Sequence, residues 1–203
     1  MANILLNLRN TVIAGFVLTV LMIVIVAGGT KQGIPGDYNW ITFLFRWLHV
    51  LSGVMWIGLL WYLNFVQTPS MPKIPDEQKP AITKVIAPAV LFWFRWAAMA
   101  TIVTGLILAG MSGYLIDALT LGASGGFAVP KSTAIGVGMW LGAIMWFNVW
   151  FIIWPNQQKA LGMVQVEADA KAKAARLAGL TSRVNLMLSV PMLYAMVSAQ
   201  NIY

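Results

Sequence analysis

Five apolar windows, each long enough to cross a bilayer, constrain this chain more than any other feature. They lie at about 11–28, 41–66, 86–112, 132–154 and 183–202. Crossing about 30 Å of hydrocarbon takes about 20 apolar residues in helical conformation, and a spanning segment has to satisfy its backbone hydrogen bonds internally. The predicted fold is therefore all-α, an integral membrane helical bundle of about five transmembrane helices forming one domain over 1–203. Composition agrees, since only 9% of the residues are charged against about 25% in soluble domains. The first window is long for a signal peptide and has no clean small-residue cleavage pattern after it, so it reads as a retained helix.

The loops give the bundle a direction. With the N-terminus placed inside, the inner side holds Arg9, Lys73, Lys79, Lys84, Lys159, Lys171, Lys173, Arg176 and Arg183, and the outer side only Lys31 and Lys131. This bias predicts a cytoplasmic N-terminus, a periplasmic C-terminus and a multi-pass protein of a bacterial inner (cytoplasmic) membrane. It also accounts for the net charge of +7 without a nucleic-acid partner; the lipid bilayer is the expected surrounding. Between the spans, 67–84 carries Pro69, Pro72, Pro75 and Pro80 and reads as an irregular turn. The glycine-rich segment 115–129 reads as a surface loop or shallow interfacial segment. The alanine-rich, mixed-charge stretch 162–177 reads as a helix along the cytoplasmic surface.

Several chemistries are excluded at once. The chain has no cysteine, hence no disulfide, iron–sulfur ligation, thiolate zinc site or covalent c-type haem. It has no phosphate-binding glycine loop and no HExxH. The six acidic residues all fall in predicted loops, which argues against a cation-coupled pump.

Polar groups inside spans are costly and mark functional positions. The single histidine, His49, lies about eight residues, or about 12 Å, from the outer end of the second span. Gly53 at i+4 and Trp56 at i+7 share its face; the glycine leaves room for a flat macrocycle, and Arg46 at i−3 could meet an anionic group such as a haem propionate. His49 is thus either a metal ligand, to a haem b in particular, or a hydrogen-bonded interior histidine. A haem held here would need its second axial position filled by a methionine, a second copy of the chain, water or nothing. Arg95, about nine residues into the third span, has no acid in any window to pair with, so it calls for an anion or cofactor, a carbonyl dipole, a lipid, a neighbouring subunit or water. Asn148 in the fourth span either borders a cofactor or joins two helices. Gly138 and Gly142 have the spacing of a close helix contact. Trp40, Trp47, Trp61 and Trp154 lie near predicted interfaces as belt anchors, and Pro191 should kink the fifth span.

The run Phe45-Arg46-Trp47-Leu48-His49-Val50-Leu51-Ser52-Gly53-Val54-Met55-Trp56, continuing through Trp61-Tyr62-Leu63-Asn64 to Pro69, resembles the membrane domain of the bacterial cytochrome-c-linked urate oxidases. So do Leu91-Phe92-Trp93-Phe94-Arg95-Trp96 with Thr104-Gly105, Asn148-Val149-Trp150 with Trp154-Pro155-Asn156-Gln157, and Ser182-Arg183-Val184-Asn185 with Ser189-Val190-Pro191. The resemblance implies a multi-span redox domain that oxidises urate and passes electrons to a cytochrome c. Two departures stand out: there is no CxxCH, and Ser198-Ala199-Gln200-Asn201 stands where the family pattern leads one to expect a second histidine. The acceptor is then expected to be a separate periplasmic protein. His49, Arg46, Gly53, Arg95 and Asn148 are the cofactor-binding candidates, with His49 the metal ligand. Two alternatives stay open: a non-catalytic accessory subunit of a larger respiratory or photosynthetic complex, or a homo-oligomer; and, from partial likeness in the histidine segment, a membrane protoporphyrinogen oxidase.

Overall fold

The computed structural model describes residues 5–30, 33 and 35–203. Lys31, one of the two outer-side charges, lies outside the described residues. Five helices are long and apolar enough to cross a membrane. They are α1 (Leu8–Thr30), α2 (Tyr38–Lys73), α3 (Lys79–Met111), α5 (Pro130–Ala160) and α6 (Ala168–Asn201); a short α4 (Leu115–Leu119) precedes α5. No strand occurs among the described residues.

The chain divides into two compact units, residues 1–44 and 45–203. In the first, α1 is apolar nearly all round and none of its residues is buried, as suits a helix whose solvent is lipid. The second unit holds the core, built from Trp56 and Leu60 of α2, Leu91, Phe94 and Ala98 of α3, Met145, Val149 and Ile153 of α5, and Met192 of α6. Lys131 Nζ reaches Gln200 Oε1 at 3.1 Å, which sets the start of α5 beside the end of α6.

The helices are longer than their apolar windows. The proline-rich stretch 67–84, expected as an irregular turn, is mostly helical: α2 runs on to Lys73 and α3 begins at Lys79. The prolines explain how. α2, α3 and α5 each contain a π-helical turn, Tyr62–Gln67, Ile82–Ile86 and Asn148–Ile153. Each is followed two residues on by a proline: Pro69, Pro88 and Pro155. A proline lacks the N–H for the i−4 carbonyl and its ring crowds that carbonyl; widening the preceding turn relieves the crowding without ending the helix.

Likewise the charged stretch before the last span is no separate surface helix. It joins the span in one 34-residue helix, about 51 Å long and so longer than the hydrocarbon is thick. Ala174 and Ala178 turn to the inside of this first half, while Lys171, Lys173 and Arg176 are exposed. The segment 115–129 is docked onto α5. Trp140 Nε1 donates to the Leu119 carbonyl at 3.0 Å and Thr133 Oγ1 to that of Leu121 at 2.9 Å. Gly136 is where the backbone of Ala118 comes too close for any Cβ. Gly138 packs on Met196 of α6, whereas nothing lies within 4 Å of where a Cβ on Gly142 would stand.

Candidate functional site

His49 is held from the side of α3. Its Nδ1 is 2.9 Å from the carbonyl oxygen of Thr101, and the Thr104 hydroxyl lies 3.4 Å from the same nitrogen. A carbonyl only accepts, so Nδ1 carries the proton and Nε2 keeps the lone pair. Nε2 has no hydrogen-bond partner among the described residues. The ring fits because residue 105 is glycine: a Cβ there would stand 2.8 Å from Cε1 and 3.1 Å from Nδ1, with Nε2 further off at 3.8 Å. The pair Thr104-Gly105 therefore forms a notch for the imidazole. A backbone carbonyl on one ring nitrogen and a free lone pair on the other is the arrangement of metal-ligating histidines. Among the described residues no group of three or more His, Asp or Glu gathers to hold a metal ion, so His49 would contribute a single ligand.

Gly53 turns toward α3, where a Cβ would meet Thr101 Cγ2 at 4.0 Å; it is a point of helix approach. Arg46 is exposed, close enough to the bend after α3 for its charge to act on the Tyr114 hydroxyl. Burial pushes the pKa of that hydroxyl above the ordinary tyrosine range, making it a weaker acid, and the charge of Arg46 pulls it partly back.

Arg95 stands apart, six to ten residues before the partners of His49 in α3 and so about 9–15 Å away along the axis. It meets aromatic faces: its guanidinium carbon is 3.8 Å from the ring centre of Trp154, 5.1 Å from Trp150 and 6.0 Å from Trp96. Cation–π attraction strengthens where water is excluded, and these rings meet part of the charge's demand within the chain. Nε and Nη1 are buried without a hydrogen-bond partner, as is the indole nitrogen of Trp150. Trp154, expected as a belt anchor, is thus a wall of the arginine site. Trp61, read the same way, donates from Nε1 to Ser189 Oγ of α6 at 3.1 Å.

Asn148 joins helices. Its Nδ2 donates to Asn185 Oδ1 at 2.8 Å, and Asn185 Nδ2 donates to the Met145 carbonyl at 2.9 Å. Asn185 is wholly buried, so the pair forms a polar clasp between α5 and α6. Asn64 Nδ2 adds a bond to Ser182 Oγ at 2.9 Å. Of the five candidates, then, the structure brings His49 and Gly53 together against α3 and distributes Arg46, Arg95 and Asn148 to three other places.

Sequence reasoning missed the Gly105 notch, which is one residue in an apolar helix and becomes visible only across from its partner. It also missed a cavity of about 190 Å³ at the other end of the second unit, bordered by Asn64 and Gln67 of α2 and by Ser182 and Arg183 of α6. The runs of amide side chains after the apolar windows were the only sequence signal for it.

No curated protein and no solved structure matches the chain. The stretch 121–202, which holds α5, α6, the asparagine clasp, Trp150 and Trp154 but neither His49 nor Arg95, matches the family model described as Urate oxidase N-terminal.

Proposed function

We propose that the chain is a urate-oxidase-like redox protein of a bacterial inner membrane, N-terminus inside, passing electrons to a separate periplasmic acceptor such as a cytochrome c. The observation that carries this reading is His49: an imidazole within a long apolar helix, set in a glycine notch, with its Nδ1–H committed to the Thr101 carbonyl and the lone pair of Nε2 left free to ligate. The family match over 121–202 and the charge asymmetry of the loops support it. The chemistry of that donor set suits haem b with one protein ligand, His49; when bound, haem would supply one-electron transfer. The chain's own part is to fix the imidazole's tautomer and orientation through Thr101 and Thr104, and to place the positive charge of Arg46 toward the same end of the bundle.

An accessory subunit would need a neighbour to satisfy Arg95. The tryptophan cage meets part of that need internally, which favours the redox reading. The test is the absorption spectrum of the full chain purified in mild detergent, oxidised and reduced. A Soret band that shifts on reduction and is lost in His49→Ala is expected, along with urate-dependent reduction of added cytochrome c. A folded, colourless protein that leaves cytochrome c oxidised refutes the reading; co-purification at fixed stoichiometry with a larger complex points to the accessory role.

A further inference from the structure

The tryptophan cage leaves part of the demand of Arg95 open. Its Nε and Nη1 are buried with no hydrogen-bond partner, and so is the indole nitrogen of Trp150, whose ring centre lies 5.1 Å from the guanidinium carbon. All three are N–H donors and none can accept. The chain supplies no acid here: of its six acidic residues, only Asp76 forms an ion pair among the described residues, and it does so with Lys79. Buried donors without partners are costly. The site therefore calls for acceptor oxygens, and its uncompensated positive charge calls for anionic ones.

The surroundings restrict what can carry those oxygens. Arg95 is only partly buried, and its neighbours Phe92 and Trp96 on α3 are exposed. Trp96 meets Trp150 edge-on with ring centres 5.4 Å apart, and Phe151, next along α5, is exposed as well. The donors thus open onto an apolar, aromatic outer surface of the second unit. An occupant has to join an anionic head to an apolar body, which a soluble anion does not.

Depth fits such a molecule. Arg95 lies nine residues, about 14 Å, from the start of the apolar window 86–112, and that window, at about 40 Å, is about 10 Å longer than the hydrocarbon is thick. Centred in a bilayer, α3 holds the Arg95 Cα about 9 Å below the hydrocarbon surface. Long helical side chains lean toward the N-terminus of their helix, so the guanidinium snorkels most of that way out. Trp154 agrees with this level: its ring centre is 3.8 Å from the guanidinium carbon, and the polar run Asn156-Gln157-Gln158-Lys159 starts two residues on.

We propose that Arg95 and the Trp150 indole bind the phosphodiester of an anionic membrane phospholipid, whose acyl chains lie against Phe92, Trp96 and Phe151. A phosphate has several oxygens and can meet donors that point in different directions. A headgroup with no cation of its own leaves the phosphate charge free for Arg95. The proposal shares with the redox reading only that the five helices span a bilayer; it needs nothing of His49.

Native mass spectrometry of the full chain in detergent, titrated with dioleoylphosphatidylglycerol or dioleoylphosphatidylcholine, reads the binding of the first lipid. The unmutated chain should hold phosphatidylglycerol more tightly than phosphatidylcholine, a comparison that depends on no variant folding, and inorganic phosphate should not displace it. Arg95→Gln should weaken phosphatidylglycerol about tenfold, the loss of one charge-assisted hydrogen bond. Arg95→Lys, which keeps the charge but gathers its donors on one atom, should fall between. Trp150→Phe, which keeps a ring and removes the N–H, should cost about threefold, and Lys171→Ala nothing. Equal holding of the two lipids by the unmutated chain, or a preference that survives in Arg95→Gln, would overturn the assignment. Displacement by inorganic phosphate would overturn it in favour of a soluble anion, and a dimer that forms without lipid and is lost in Arg95→Gln would give the oxygens to a carboxylate of a second copy. A colourless protein that keeps the lipid preference would defeat the redox reading and leave this site standing.

Discussion

Replacing Gly105 by alanine tests how His49 is held. The new methyl would stand 2.8 Å from the ring's Cε1 and 3.1 Å from Nδ1, inside the roughly 3.5–4.0 Å at which carbon atoms rest. The imidazole would have to retreat by close to an ångström, taking the 2.9 Å bond to Thr101 past hydrogen-bond range. Interhelical hydrogen bonds in membranes average about 0.6 kcal/mol, and overpacking a well-filled contact costs about 1–3 kcal/mol. Gly105→Ala should therefore destabilise the bundle by about 1.5–3.5 kcal/mol. With His49→Ala in place the methyl meets open space, and the same change should be neutral or slightly favourable, since alanine is the better helix former. The assay is a double-mutant cycle on reversible SDS unfolding, followed by tryptophan fluorescence. A coupling of at least about 1.5 kcal/mol is expected; effects that add to within about 0.5 kcal/mol would refute the notch.

Three further outcomes follow from the same geometry. Trp154→Leu removes the nearest face of the arginine cage and should lower stability by about 0.5–2 kcal/mol; in melting experiments Arg95→Leu should cost more than Lys171→Ala, whose side chain is exposed, and equal effects would deny Arg95 a special place. Asn185→Ala leaves the buried Asn148 side-chain amide without its partner and takes away the side-chain bond to the Met145 carbonyl, and should cost about 1–3 kcal/mol, measured by SDS unfolding; a loss within error would mean the clasp is re-satisfied by water or lipid. Tyr114 should ionise above the ordinary tyrosine range because burial disfavours the phenolate. Since its folded value is raised, the stability it lends is complete below the unfolded tyrosine value and disappears as pH rises through the folded one. Ultraviolet difference titration against Tyr114→Phe isolates this group, and Arg46→Gln should move its midpoint further up; a downward or absent shift would show that Arg46 does not act on it.

The sequence by itself determined what depends on one helix at a time. Apolar length located the five long helices, because the bilayer's thickness and the backbone's need for internal hydrogen bonds admit few other solutions. The rarity of polar groups in those windows singled out His49, Arg95 and Asn148. The π turns were legible in principle, since a proline two residues on accompanies every one of them, but the local rule read 67–84 as a turn. It treated proline as a breaker, whereas a helix can absorb one by widening the turn before it. The division between a charged surface helix and the last span failed for a related reason: alanines at 174 and 178 carry the buried face of α6 through a stretch whose composition looks solvated.

Pairing between helices belonged to the tertiary structure alone. His49 meets Gly105 across 56 positions, Asn148 meets Asn185 across 37, and Arg95 meets Trp154 across 59. No periodicity within one helix encodes which face of another it will touch. Whether a buried asparagine borders a cofactor or clasps a neighbour, and whether an arginine is left bare or roofed by tryptophan rings, depends on helix rotation and register. Those are set by the fit of many side chains at once, and in this bundle they set an oriented histidine and a polar cavity at well-separated levels of the second unit.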